Sequence, residues 1–189
     1  MKKLLLVIVS FAFIVPLCFC EEVKEQDRNY DGKVDRWVYI LDENTEKIDD
    51  DSDFDGKVNT VYWQYKDSNG MIYKLEMDTD VDGKKNAWLY YNNAIPQKCE
   101  ADTNKDEVVD ITSYMDIAGD ILEVEADANY DGKIDLMQQY SGGKVIRTEV
   151  DSDFDGKMDK TFNDISEADN WLRENRPGFT NNANFYTPK

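Results

Sequence analysis

Asp27-Arg28-Asn29-Tyr30-Asp31-Gly32-Lys33-Val34-Asp35, followed directly by Arg36-Trp37-Val38-Tyr39-Ile40, is the stretch that decides the fold. Its first half alternates acidic or amide side chains and places a glycine sixth, which suits a tight curl. Its second half is β-branched and aromatic, which suits an extended strand. The pattern returns over residues 51–59, 78–86, 102–110, 127–135 and 151–159. The six starts, at 27, 51, 78, 102, 127 and 151, lie 24, 27, 24, 25 and 24 residues apart. One such run says little, because Asp and Gly are ordinary turn residues. Six at a period of about 24 residues describe a tandem repeat.

The spacing carries a chemistry. Positions 1, 3, 5 and 9 are Asp27, Asn29, Asp31 and Asp35 in the first loop, and Asp51, Asp53, Asp55 and Asn59 in the second. They are Asp78, Asp80, Asp82 and Asn86 in the third, and Asp102, Asn104, Asp106 and Asp110 in the fourth. They are Asp127, Asn129, Asp131 and Asp135 in the fifth, and Asp151, Asp153, Asp155 and Asp159 in the sixth. Side chains at alternate places of a curled loop converge. Gly32, Gly56, Gly83, Gly132 and Gly156 supply the sharp turn at position 6. Position 7 then offers a backbone carbonyl, from Lys33, Lys57, Lys84, Val108, Lys133 and Lys157. An all-oxygen cage with several carboxylates suits a hard cation, and a flexible cage suits calcium better than magnesium. The chain has no His, which removes imidazole metal chemistry, and its three Cys do not make a thiolate zinc site.

A second regularity concerns charge. Where position 3 is Asn, position 9 is Asp, and where position 9 is Asn, position 3 is Asp; the sixth loop alone has Asp at both. Two places before each loop stands another acid: Glu25, Asp49, Glu76, Glu100, Glu125 and Glu149. Counting that acid, five loops gather four carboxylates each and the sixth gathers five, a balance between affinity and self-repulsion. Strand side chains alternate, so the preceding acid falls on the same face as position 1 and is expected to serve as a further ligand. The competing reading is a set of Asp-rich turns closed by side-chain hydrogen bonds without metal.

Helix–loop–helix EF-hands are excluded, because that motif needs a bidentate Glu at position 12. Here position 12 is Val38, Tyr62, Leu89, Ser113, Gln138 or Phe162. The flanks read as strands, with turns at Asp67-Ser68-Asn69-Gly70, Asn92-Asn93-Ala94 and Ser141-Gly142-Gly143. The loops resemble those of thrombospondin type 3 repeats, dockerins and bacterial EF-hand-like surface proteins. Their loop-then-strand setting is closer to the calcium loops between strands of integrin-type propeller repeats. The resemblance covers residues 25–162 and implies calcium binding, up to six ions, without naming a partner. The fourth loop departs from the pattern, with Glu107 in place of Gly and Val108 in place of Lys, and is expected to be the weakest site. The third carries Lys85 at the usually apolar position 8.

The ends of the chain differ from the repeats. Residues 1–20 read as a signal peptide: a charged start at Lys2-Lys3, an apolar run, Pro16, then Cys18-Phe19-Cys20 before Glu21-Glu22. Cleavage after Cys20 and lipid attachment at Cys20 are both open. A Cys at that place favours the lipoprotein, although Phe19 and Leu17 fit its pattern poorly. Either route exports the chain to the cell surface, periplasm or medium, where calcium is about millimolar and weak sites still fill. The remaining thiol, Cys99, reads as a small buried hydrophobe. Residues 165–189 form a C-terminal unit: Ser166 reads as a helix cap, Ala168, Trp171 and Leu172 as an apolar stripe, and Pro177-Gly178 as the stop. This helix is expected to cap the last strand.

Net charge is −18, from 40 acids against 22 bases. Most of that acidity belongs to the loops, and it argues against nucleic acid, which needs a basic face. The expected fold is all-β, with residues 21–164 as loop-plus-hairpin repeats in a curled antiparallel meander, barrel-like or superhelical. Tyr30, Phe54, Tyr130 and Phe154 are expected to pack between loops, and Trp37, Trp63 and Trp88 to lie in the core. The expected function is a secreted or surface-anchored calcium-binding protein with a structural or adhesive role, not an enzyme. Any membrane contact would come through Cys20, and a protein or glycan partner is unspecified. The alternative is a carbohydrate-active enzyme or accessory module using a carboxylate pair. No acid stands apart from the repeat to favour it.

Overall fold

The computed structural model describes residues 22–175. The expected signal segment with Cys20, and the tail with Pro177-Gly178, lie outside them. Twelve strands follow one another: β1 (Glu22–Gln26), β2 (Arg36–Ile40), β3 (Thr45–Asp50), β4 (Thr60–Lys66), β5 (Ile72–Asp78) and β6 (Ala87–Asn92). Then come β7 (Ile95–Ala101), β8 (Ile111–Met115), β9 (Ile121–Ala126), β10 (Leu136–Ser141), β11 (Lys144–Val150), β12 (Lys160–Phe162) and one helix, α1 (Ile165–Asn175). Each strand pairs antiparallel with the next in sequence, in one sheet ordered β1 to β12. The six acidic loops therefore line one edge and the hairpin turns line the other. β1 and β12 do not pair, so the curled sheet stays open rather than closing as a barrel. Strands touch their sequence neighbours, and α1 touches β11 and β12. Such an array is quasi-one-dimensional, and each unit is held by its two neighbours.

The pairing separates two faces. One cross-strand row runs Val38, Ile48, Tyr62, Met77, Ala87, Ala101, Ile111, Ala126, Leu136 and Val150. Beside it lie Cys99, Ser113, Val124, Gln138 and Thr148. This face is the better buried one. Ile111, Val124, Ala126, Leu136 and Val150 form a cluster with Leu172 of α1, and Phe162 and Trp171 pack against it with ring centroids 5.8 Å apart. Cys99 is half-buried here, and burial pushes its thiol pKa up.

The opposite face carries Trp63, Glu76, Trp88 and Glu100 as cross-strand neighbours, with Tyr65, Lys74, Tyr90, Lys98 and Tyr114 beside them. The tryptophans are thus half-buried on a charged face and lie outside the core cluster, contrary to expectation. The sheet is one layer thick, so an inward-and-outward alternation puts half of its aromatics on each side. Here they are covered by lysine stems: Lys85 lies 4.6 Å from the Trp63 ring, and Lys98 4.4 Å from the Tyr90 ring.

The 27-residue interval has a structural counterpart. Across every loop, and in every hairpin but one, the residue before a loop pairs with the residue just after one, as in Arg36↔Asp50 and Ala87↔Ala101. Between β4 and β5 the frame slips: Met77 faces Tyr62 instead of Thr60. A slip of two residues keeps every side chain on its own face but sets loop 3 back from loop 2 by about 7 Å. The loop edge is therefore divided into loops 1–2 and loops 3–6.

Helix α1 begins earlier than Ser166. The Asp164 carboxylate accepts the amides of Ser166 and Glu167 at 2.7 and 3.3 Å, so Asp164 is the cap. Ala168 and Leu172 are buried on its inner side, which gives the expected apolar stripe its partner.

Candidate metal centres

All six loops share one backbone turn, though in the fourth the Lys105 amide takes the Asp102 Oδ1 that the position 5 amide takes in the others. Position 4 is left-handed in each, at φ 60 to 66° through Tyr30, Phe54, Val81, Lys105, Tyr130 and Phe154. Position 6 is left-handed too, at φ 87 to 94° in the five glycines and 74° at Glu107. A Cβ built on Gly32, Gly56, Gly83 or Gly132 meets nothing within 4 Å, so backbone angle alone calls for glycine there. The need at position 4 was not anticipated, because Tyr and Phe give no signal of positive φ.

Two backbone clasps hold each loop. The position 1 carboxylate accepts the amide of position 6: Asp27 from Gly32 at 2.8 Å, Asp51 from Gly56 at 2.8 Å, Asp78 from Gly83 at 2.9 Å. Asp102 accepts from Glu107 at 2.9 Å, Asp127 from Gly132 at 2.7 Å and Asp151 from Gly156 at 2.6 Å. Position 9 accepts the amide of position 2, as in Asp35 from Arg28 and Asn59 from Ser52. Where position 2 is Ser or Thr, its hydroxyl joins, as from Thr103 to Asp110 at 2.7 Å. Asn or Asp thus fills position 9 equally well as a clasp, which lets the charge be traded with position 3.

These turn bonds are the ones a metal-free reading foresees, and they draw part of each cluster together, since the Asp55 amide donates to Asp51 Oδ1 at 3.2 Å and to Asp53 Oδ1 at 3.4 Å. Asp51, Asp53 and Asp55 each bring an oxygen to within 4.8 Å of the other two. So do Asp78, Asp80 and Asp82; Asp102, Asp106 and Asp110; and Asp151, Asp153 and Asp155. A carboxylate has about four acceptor sites, so one or two backbone bonds leave room for a cation. Burial raises the pKa of Asp51, but the amides of Gly56, Asp55 and Phe54 with the Asp53 side chain outweigh it and hold the carboxyl below its usual range. Asp151 behaves likewise, with burial overcome by the amides of Gly156, Phe154, Asp155 and Lys157.

Loop 5 shows the charge problem most plainly. Asp135 is 0% exposed, and its Oδ2 accepts the amides of Ala128 and Asn129 at 2.9 and 3.1 Å. Its Oδ1 is buried without a hydrogen-bond partner. Burial raises the Asp135 pKa against those amides, and the charges of Asp127 and Asp131 push it the same way. A buried, partnerless carboxylate oxygen beside two other carboxylates fits a bound cation.

The acids two places before the loops are engaged on the strands. Glu76 accepts from Lys74 at 2.6 Å and Tyr65 at 2.8 Å, and also pairs with Lys85. Glu100 accepts from Lys98 at 2.7 Å and Tyr90 at 2.8 Å. Glu125 meets Tyr114, Glu149 meets Arg147 and Asp49 meets Lys47. Glu25 stands opposite Trp37 on the edge strand. None of these acids belongs to a carboxylate triplet named above. A lysine or arginine two residues earlier on the same strand face claims most of them, a pattern legible in Lys74-x-Glu76, Lys98-x-Glu100 and Arg147-x-Glu149.

Neighbouring loops are tied by main chain. The Asp51, Asp102, Asp127 and Asp151 amides donate to the position 9 carbonyls of Asp35, Asn86, Asp110 and Asp135. Of the position 4 aromatics, Phe54 receives the Arg28 guanidinium of the loop before it at 5.5 Å. Tyr30, whose loop is the first, is 90% exposed rather than packed between loops. The position 7 lysines turn to acids: Lys57 and Lys157 to Asp55 and Asp155 of their own loops, Lys84 to Glu107 of the next. Comparison with protein-family models, curated proteins and solved structures finds no match to this chain.

Proposed function

We propose that this is an exported calcium-binding repeat protein, secreted or surface-anchored, whose ions hold the loop edge of an open sheet. What carries the reading is the convergence of three aspartates in each of four loops, with oxygens within 4.8 Å of one another. Like charges brought that close repel by about 1 kcal/mol per pair at 4 Å even in water, and a bound cation relieves that repulsion. The residues that would hold it are those at positions 1, 3, 5 and 9, with the position 7 carbonyl. An all-oxygen, flexible set of this kind favours calcium over magnesium.

The role is structural or adhesive. A one-layer array with a small core, and no disulfide among the described residues, draws little stability from burial, so metal binding becomes folding free energy. Calcium then serves as the condition under which the edge is ordered. Export to a calcium-rich compartment, through the signal-like first 20 residues, matches that need. The test is a calorimetric calcium titration after chelator treatment. Binding of several ions per chain, with magnesium much weaker, supports the reading; no heat at millimolar calcium overturns it.

A further inference from the structure

We propose that Lys105 is a built-in cation of the third loop, setting that loop's affinity for its metal ion from the fourth loop. The inference rests on the calcium reading and adds a control to one of its sites. Position 4 is Tyr, Phe or Val in five loops, and in loop 4 it is Lys105. The Lys105 ammonium pairs with Asp80 Oδ2 and stands 3.5 Å from Asp82 Oδ2. Both acids belong to the triplet Asp78, Asp80 and Asp82. The Lys105 charge is therefore placed against the oxygens that would hold the ion.

A second pair crosses the same gap in the other direction. Lys84 Nζ of loop 3 stands 2.8 Å from Glu107 Oε1 of loop 4. Two of the residues that set loop 4 apart, Lys105 and Glu107, thus both end on loop 3. Glu107 keeps a left-handed φ of 74° that costs a non-glycine residue energy, and its carboxylate gains a partner there. The register makes this contact part of the fold, since the Asp102 amide donates to the Asn86 carbonyl at 3.0 Å and fixes the two loops side by side.

Loop 2 is the natural control. It offers the same side chains as loop 3 at positions 1, 3, 5 and 9: three aspartates and an asparagine. The loop after it is set back by two residues and carries uncharged Val81 at position 4. Its own Lys57 pairs with Asp55 at 3.9 Å, a longer contact than Lys105 makes with the two acids of loop 3. A divalent ion entering loop 3 must displace the Lys105 ammonium or sit close to it, and either lowers affinity.

The experiment is a calcium titration of the full ¹⁵N-labelled chain, followed by the amide signals of Gly56 and Gly83. These amides donate to Asp51 and Asp78, so each reports its own loop. Gly83 is expected to respond at about tenfold higher calcium than Gly56, the scale of one unit charge near a divalent ion. Lys105→Met is expected to bring Gly83 to within about threefold of Gly56 without moving Gly56, and Lys105→Arg to keep the gap. Lys105→Gln serves as a second neutral variant should the Met protein fold poorly. Equal midpoints in the unaltered protein, or neutral variants that leave Gly83 where it was, overturn the proposal while calcium binding at Gly56 stands. If calcium moves no loop glycine, the calcium reading itself falls with it.

Discussion

Glu107→Gly isolates the cost of the fourth loop's departure. Glu107 has φ 74° where the other loops place glycine at 87 to 94°. A left-handed non-glycine residue costs about 1–2 kcal/mol. Glycine returns about 0.5–1 kcal/mol of that through the greater freedom of the unfolded chain. The Lys84 pair lost with the side chain contributes little, because its partners are 60% and 72% exposed. The balance is a gain of about 0.5–1 kcal/mol, or roughly 2–3 °C in Tm for a chain of this size. Urea unfolding in chelator should show that gain, and calcium should then fill the fourth loop more tightly. Gly132→Ala is the mirror test: a Cβ there meets nothing within 4 Å, so its expected loss of about 1 kcal/mol comes from φ alone. A Glu107→Gly protein less stable than its parent, or a neutral Gly132→Ala, would refute the reasoning.

Asp135→Asn should change sign with calcium. In chelator it removes a buried charge whose pKa is raised and should increase Tm; in calcium it removes a ligand and should decrease it. Glu76 is held at about 2, because Lys74, Lys85 and Tyr65 outweigh its burial. Its stabilising contribution is complete above about 4.5 and is lost as pH falls toward 2, so Glu76→Gln should flatten acid unfolding across that window. Leu172→Ala should cost about 2–4 kcal/mol and expose the β11–β12 end, measurable by faster amide exchange in those strands.

Much of the array was legible in the sequence because each signal is local. Loop composition, β-branched flanks and turn residues recur in phase, and a sheet pairing nearest neighbours needs nothing more. What escaped depends on contacts between units. The 27-residue interval hinted at an irregularity, but the two-residue slip at Met77 and Tyr62 is decided by strand pairing. Trp63 and Trp88 look like core by residue type, yet both stay half-buried on the charged face of a one-layer sheet, where the Lys85 stem covers Trp63. The cap fell to Asp164 because its carboxylate reaches two amides. The acids before the loops share a face with lysines on their own strands, and Lys74 and Lys98 pair with Glu76 and Glu100 there.

The most direct measurement is thermal unfolding of the protein in chelator, in millimolar calcium and in millimolar magnesium. With several sites coupled to folding, calcium at about a hundredfold above its dissociation constant adds about 2.7 kcal/mol per site. Calcium should therefore raise the midpoint by many degrees, magnesium should raise it little, and chelator should lower it strongly or leave the array unfolded. An identical midpoint in all three would contradict the claim that bound ions hold the loop edge.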